Sequence, residues 1–332
     1  MFKYILKRLA IAVLVLFGVS IIIYSLVRLM PSDFVDQKYQ PLVQNGQMDP
    51  ARLEELKELY GLSDTSFRGM VNGYLKWAGN ALRGDLGYSF KYESPVGEVI
   101  FRNMGISFII AFVSLILEYL IAIPLGIRAA TNQYGVVDYS ATVLSMIGIS
   151  LPSFFLGALF IRFFSVGLGW FEPNGLMSSD IPNNASQWTI LLNIAWHLVL
   201  PMAVLVILSI GGLMRYTRTN TLEVLNADYI RTARAKGVSE HTVVYKHAFR
   251  NTMIPLVTMF AGALPGLFGG AMITEEVFAI PGIGRMAYQA LQEGDVPFIM
   301  GYNMFLAILT VIGTLLSDIM YAVVDPRVKL TK

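Results

Sequence analysis

Long apolar stretches alternate with short polar segments along this chain, and six of them are long enough to cross a bilayer. They run roughly over Leu9–Met30, Met104–Ile127, Tyr139–Val166, Ile190–Met214, Met253–Ile273 and Phe298–Val324, against a requirement of about 20 residues. Pro124, Pro152, Pro201, Pro255 and Pro265 fall inside these runs. Membrane helices tolerate proline where neighbours satisfy the freed carbonyls, so the pattern predicts a helical bundle. The first run follows Lys3, Lys7 and Arg8, as a signal peptide would. It is longer than a typical signal core of about 7–15 residues and no small-residue cleavage site follows it. It reads as an uncleaved first transmembrane helix.

Two of the connections carry helical patterns of their own. Within residues 31–103, Leu53, Leu56, Leu59 and Tyr60 recur at helical spacing before Gly61 stops the run. A second amphipathic run covers Phe67–Leu82, ahead of the turn-like Arg83-Gly-Asp-Leu-Gly87. Between the fourth and fifth spans, Asn226 to Gly237 reads as a short helix with Asp228 as N-cap. Arg234 and Lys236 suit the negative end of its dipole, and Gly237 suits its stop. Tyr229, Ala233 and Gly237 recur every fourth residue and are expected to share a face, small towards its end, that another surface can approach closely. Ser239 is placed to cap a following basic helix that reaches Arg250.

Composition supports a membrane solvent. Hydrophobic residues make up 55% of the 332 positions and charged residues 14%, with a mean hydropathy of +0.57. A soluble chain of this length would have too little polar surface to cover itself. The net charge of +2 gives no reason to expect nucleic acid. With no cysteine, disulfides, thiolate metal sites and cysteine nucleophiles are excluded.

Charge distribution orients the chain. With the N-terminus inside, the inner segments hold fourteen Lys or Arg: three in residues 1–8, Arg128, seven from Arg215 to Arg250, and three in the tail. The short outer loops, 167–189 and 274–297, hold only Arg285. The eight in residues 31–103 count little, because long translocated segments do not set topology. The expected architecture is therefore an all-α, polytopic membrane protein with both termini cytoplasmic. Residues 1–30 form the N-terminal end and first helix, and 31–103 a small extracytoplasmic cap. Residues 104–324 form a five-helix core with the cytoplasmic loop 215–251, and 325–332 a cytoplasmic tail.

The loop sequence Asp228-Tyr-Ile-Arg231-Thr-Ala233-Arg-Ala-Lys-Gly237 resembles the Glu-Ala-Ala-x-x-x-Gly loop of permease subunits in ABC importers, with Ala233 and Gly237 matching. Arg231 and Thr232 replace the Glu and first Ala, and His247-Ala-Phe-Arg250 replaces the family's Ile-x-Leu-Pro, a variant similar to the dipeptide and oligopeptide branch. Leu6 to Pro31, Gly84 to Ser89 with Pro95-Val96, Trp170 to Gly175, Glu276 to Gly284, and Asp318 with Tyr321 and Asp325-Pro-Arg327 resemble further parts of that branch in the same order. Pro31-Ser-Asp33 replaces a usual Pro-Gly-Asp. The resemblance is to the subunit type with a long extracytoplasmic segment after its first helix.

That resemblance implies a type I importer permease in the cell membrane of a prokaryote, carrying half of a pathway for di- or oligopeptides. It implies a second, homologous permease, two ATPase subunits holding ATP and magnesium, and an extracytoplasmic substrate-binding protein. It assigns Asp228, Tyr229, Arg231, Thr232, Ala233, Arg234, Ala235, Lys236 and Gly237 to ATPase coupling. Read on physics alone, the same loop is a basic juxtamembrane segment against lipid headgroups. No Gly-x4-Gly-Lys-Ser/Thr phosphate loop occurs, so the chain is expected to be a transport subunit without an ATPase site, catalytic residues or cofactor of its own. Nickel-chelate and glutathione importers share these motifs. A stand-alone secondary transporter would predict internal repeats and broken helices in paired positions, and an intramembrane hydrolase a catalytic motif; the sequence shows none of these.

Polar groups inside the spans each need a reason, since a charge at the bilayer centre costs about 2.5–3.5 kcal/mol on insertion scales. Glu118 lies mid-span with Ser107, Ala111 and Ser114 on the same side. Glu118 and Ser114 either line the translocation path, where the carboxylate would meet a peptide ammonium group, or lock two helices together. Asp318 either belongs to the path or pairs with a basic loop residue. Arg28 and Arg162 lie near outer ends, where long side chains snorkel. His197, His241 and His247 are too scattered for a metal site.

Overall fold

The computed structural model describes residues 2–29, 34–59, 66–182 and 184–324. Tyr60, Gly61, the Pro31-Ser-Asp33 segment and the tail 325–332 lie outside the described residues. The chain is built from helices α1 (Phe2–Arg28), α2 (Phe34–Gln44), α3 (Pro50–Leu59), α4 (Phe67–Ala81), α5 (Val96–Thr131), α6 (Val136–Ser150), α7 (Ser153–Phe160), α8 (Gln187–Leu225), α9 (Asp228–Ala235), α10 (Glu240–Thr242), α11 (Phe249–Ala263), α12 (Met272–Val277), α13 (Ile283–Gln292) and α14 (Val296–Val324). A π-helical turn, Ile161–Gly167, prolongs α7, and another, Val243–Ala248, joins α10 to α11. A 3₁₀ turn, Leu264–Gly269, ends α11.

Five of these units are long and apolar enough to cross a membrane: Ala10–Arg28, Val96–Thr131, Gln187–Leu225, Glu240–Gly269 and Val296–Asp318. The predicted third span is a bent pair and not one continuous helix. Residues 136–150 and 153–167 form two helices bent by 103°, where one helix was expected. Pro152 is the cause, because the residue before a proline is pushed out of the helical region. Leu151 takes φ −88°, ψ 130°, and Pro152 becomes the N-cap of α7. Pro124, Pro201 and Pro255 instead sit inside continuous helices.

Helices α5 and α8 form the central pair. Their approach depends on glycine, since a Cβ at Gly126 would lie 2.8 Å from the Met214 carbonyl oxygen. Helix α6 packs beside them, where Arg218 of α8 forks onto buried Asp138 at 2.6 and 2.8 Å. Helix α14 runs between α1 and α11. At one end of α1, Tyr24 and Val27 meet Val296, Ile299 and Met300; near the other, Arg8 pairs with Asp318 at 3.1 Å.

The segment before α5 folds as the sequence pattern suggests. Asp49 accepts a bond from the Ala51 amide at the start of α3, and Lys57 pairs with Asp36 of α2 at 2.7 Å. Gly84 and Gly87, at φ +86° and +100°, turn the chain into a two-residue ladder of Tyr88–Ser89 and Ser94–Pro95.

Candidate functional site

The loop helix α9 stands on a small apolar platform. Ile230 is fully buried against Ile127 at the end of α5, Leu225 at the end of α8, and Val243, Val244 and Ala248 of the π turn. An eight-residue helix has little stability of its own, so this packing holds it. Arg234 adds a clamp: Nε and Nη2 donate to Glu240 at 3.0 and 2.6 Å, and Nη1 reaches the Leu225 carbonyl at 3.5 Å. The Glu240 carboxylate raises the Arg234 pKa further above an already high value.

The ends of α9 are explicit. Gly237 is at φ +73°; its N–H donates to Arg234 O, and Val238 N–H donates to Ala233 O. This paired closure needs a left-handed residue after the helix, which glycine provides. The expected Asp228 cap does not form. Ala227 is the N-cap, without a side-chain bond, while Asp228 is exposed and pairs with Arg231 at 3.5 Å. Ser239 is the N-cap of α10 by backbone geometry, but its hydroxyl donates to Thr242 Oγ1 and not to an orphan amide.

The face expected from Tyr229, Ala233 and Gly237 is also corrected. Four-residue steps drift by about 40° each on a 3.6-residue helix, and the drift divides the three. Ala233 turns inward and packs against the Ile230 cluster. Tyr229 is 47% exposed, and Gly237 has open space around it. The outward surface consists of Asp228, Tyr229, Arg231, Thr232, Ala235 and Lys236, with Arg234 at its edge.

A second feature lies in the bundle. A cleft of about 230 Å³ is lined by Ala111, Ser114, Leu115 and Glu118 of α5, Leu205 and Ser209 of α8, and Gly266, Leu267, Gly270 and Ala271. Ser209 Oγ donates to the Leu205 carbonyl at 2.8 Å, and the buried Ser114 hydroxyl has no hydrogen-bond partner. Ser107 is not part of this cleft. It is buried one level away, where its Oγ accepts from the Ile283 amide at 2.8 Å. Asp318 is likewise elsewhere, paired with Arg8 of α1 and not with a loop residue. Arg28 donates to the Tyr24 hydroxyl at 3.3 Å.

The end of the bundle opposite α9 is organised by two buried carboxylates that hydrophobic periodicity did not single out. Glu275, 1% exposed, accepts from the Ala271 amide at 2.9 Å and the Arg285 amide at 3.0 Å. One side chain thus caps the starts of both α12 and α13. Three glycines leave room for it: a Cβ at Gly270 or Gly284 would lie 2.9 Å from a Glu275 oxygen, and one at Gly282 closer still. Asp295, fully buried, accepts from Ser89 Oγ at 2.5 Å, the Lys91 amide at 3.0 Å and the Phe298 amide at 3.2 Å. It caps α14 and ties the β ladder to it. An Asp two residues before Pro297 was a readable N-cap signal. The Glu275 clasp leaves only glycine spacing as a sequence trace.

Near the same end, His197 lies 3.3 Å from Glu172 and bonds the Asn193 carbonyl through Nδ1. The neighbouring Ser178 hydroxyl and His197 ring hold the Glu172 carboxyl below the ordinary range. Among the described residues, no group of three or more His, Asp or Glu side chains is arranged to hold a metal ion.

Comparison with known proteins fits this geometry. The family model described as "Binding-protein-dependent transport system inner membrane component" matches residues 122–330. The oligopeptide transport system permease protein AppB of Bacillus subtilis is 36% identical over 330 residues, covering 99% of this chain and all of that protein. The dipeptide transport system permease protein DppB of Escherichia coli is 31% identical over 346 residues, with 99% of each chain covered. Among solved structures, a chain of the MetNI methionine ABC transporter in its inward-facing conformations matches with a TM-score of 0.50 and 18% identity, over 68% of this chain and 96% of that chain. That likeness concerns the fold.

Proposed function

The chain belongs to the family of binding-protein-dependent transport system inner membrane components, and from that premise we propose that its cargo is a di- or oligopeptide and that α9 is its docking element for an ATPase. It is a transmembrane subunit of an ATP-binding-cassette importer. Peptide cargo is supported by end-to-end similarity to an oligopeptide and a dipeptide permease. The remaining subunits follow from the family: a second permease, two ATPases carrying ATP and magnesium, and a binding protein on the far side. This chain itself contributes no catalytic group.

The observation that carries the coupling proposal is the platform beneath α9. Ile230 and Ala233 rest on residues from α5, α8 and the π turn leading into α11. A push on the outward face of α9 therefore reaches three spans through packed side chains, with Arg234 and Glu240 keeping the helix from rolling. The Glu118 cleft lies between the same spans and offers a carboxylate and two hydroxyls to a passing peptide. Placing the α9 side in the cytoplasm agrees with fourteen basic residues on that side against Arg285 in the short loops opposite.

The test is reconstitution of the chain with its second permease, ATPases and binding protein in vesicles. ATP-dependent accumulation of a labelled peptide supports the proposal. Accumulation of a nickel chelate but no peptide would replace the cargo, and uptake without ATPase subunits would remove the coupling role.

A further inference from the structure

The amphipathic helix α4 has a surface that the transport reading does not use. One arc packs on the bundle: Met70, Tyr74 and Trp77 lie against Tyr24 and Val27 of α1 and Val296, Ile299 and Met300 of α14. A neighbouring arc is equally apolar but uncovered. Phe67, Val71, Leu75 and Leu82 follow at helical spacing and are 79%, 41%, 61% and 90% exposed. The third arc is polar, with Arg68, Asn72 and Lys76 exposed and Arg83 just beyond the helix.

Depth decides what covers the apolar arc. The Tyr74 hydroxyl meets Ser20 Oγ at 2.8 Å, and the Tyr74 ring packs edge-on to Phe17 and Tyr24 at centroid distances of 6.4 and 5.6 Å. A Cβ at Gly73 would collide with the Tyr24 hydroxyl. Ser20 lies eight residues before Arg28, the last residue of α1, or about 12 Å along the helix axis. Helix α4 therefore lies beside the last two turns of a spanning helix and not beyond its end. This is the depth at which acyl chains give way to headgroups, where amphipathic helices bury an apolar face about 5–10 Å and Trp and Tyr concentrate.

We propose that α4 is an interfacial helix seated in the leaflet on the side opposite α9. Phe67, Val71, Leu75 and Leu82 lie among acyl chains, and Arg68, Lys76 and Arg83 lie at phosphate headgroups. The occupant of the exposed stripe is lipid, because the stripe is wholly aliphatic and aromatic and is bordered by cations matching a phosphate layer. Seated there, α4 anchors the contact between the end of α1 and the start of α14 to the membrane surface.

Single cysteines at Val71, Leu75 and Lys76 test this in the full chain, assembled with its partner subunits in vesicles of phosphatidylcholine and phosphatidylglycerol. Each is labelled with an environment-sensitive fluorophore and exposed separately to a lipid carrying a shallow nitroxide and to aqueous iodide. Val71 and Leu75 should be quenched by the lipid nitroxide and show a several-fold lower iodide quenching constant than Lys76. Equal iodide quenching at all three positions would overturn the proposal in favour of a solvated face. Protection of Val71 and Leu75 from both quenchers would overturn it in favour of a covering protein. Using two positions on the stripe keeps the reading independent of whether one variant assembles poorly.

Discussion

Adjacent residues of α9 should fail in different ways when truncated. Ile230 is fully buried, while Tyr229 is about half exposed, about 100° round the helix from it. Ile230→Ala removes three buried carbons, about 2.4 kcal/mol at roughly 0.8 kcal/mol each. The cavity left among Ile127, Leu225, Val243 and Val244 brings the total into the range of about 2–5 kcal/mol for such truncations. Because the helix is held mainly by this contact, the loss falls on its docking. If α9 opens as a unit, its amides should exchange with solvent faster by roughly 30-fold or more, at 1.4 kcal/mol per decade. Tyr229→Ala removes little that this chain uses for itself, so exchange across residues 228–238 should stay near wild type while ATPase binding and uptake fall. Hydrogen exchange on the purified chain, alongside uptake by the reconstituted importer, separates the two. Wild-type exchange in Ile230→Ala, or equal acceleration in both variants, would refute the division into an inner and an outer face.

Other variants probe the remaining features. Glu275→Ala strands two amides, each worth about 1–3 kcal/mol when buried and unpaired, so its melting temperature in mild detergent should fall clearly; an unchanged value would mean that the clasp is not needed. Glu118→Gln should reduce peptide uptake while complex yield and basal ATPase activity stay normal, and loss of the complex would mark Glu118 as a structural lock instead. Asp138→Ala removes the forked partner of half-buried Arg218 and the acceptor of the Tyr134 amide, so thermal stability should fall, and an unchanged melting temperature would mean that the pair is not needed. Cysteines at Arg83 and His241 should label on opposite faces of intact cells, and labelling of both from outside would overturn the orientation.

The bundle was legible because membrane helices advertise themselves by uninterrupted apolar length, and five of the six runs became continuous crossing units. The third run did not, since nothing local distinguishes Pro152 from Pro124 or Pro201. Whether a proline bends or breaks a helix depends on which neighbours take up the freed carbonyls. The Gly237 stop was readable because a left-handed turn needs glycine. The facing of α9 was misjudged for a definite reason. Small residues at four-residue spacing suggest a surface open to close approach, but Ile230 was the larger signal and marks the buried side. Glu275 and Asp295 are beyond periodicity altogether, because each is satisfied mainly by backbone amides brought together by the fold.

The claim that α9 presents its outer face to an ATPase is tested most directly by crosslinking. The chain has no cysteine, so a photo-crosslinker attached to single cysteines at Tyr229, Thr232, Lys236 or Ala233 reports on one position at a time in the assembled importer. Crosslinks to the ATPase subunit from Tyr229, Thr232 and Lys236, with little or none from Ala233, are the predicted result. Crosslinking from Ala233 alone, or none from the three outward positions in a complex that still transports peptide, would contradict it.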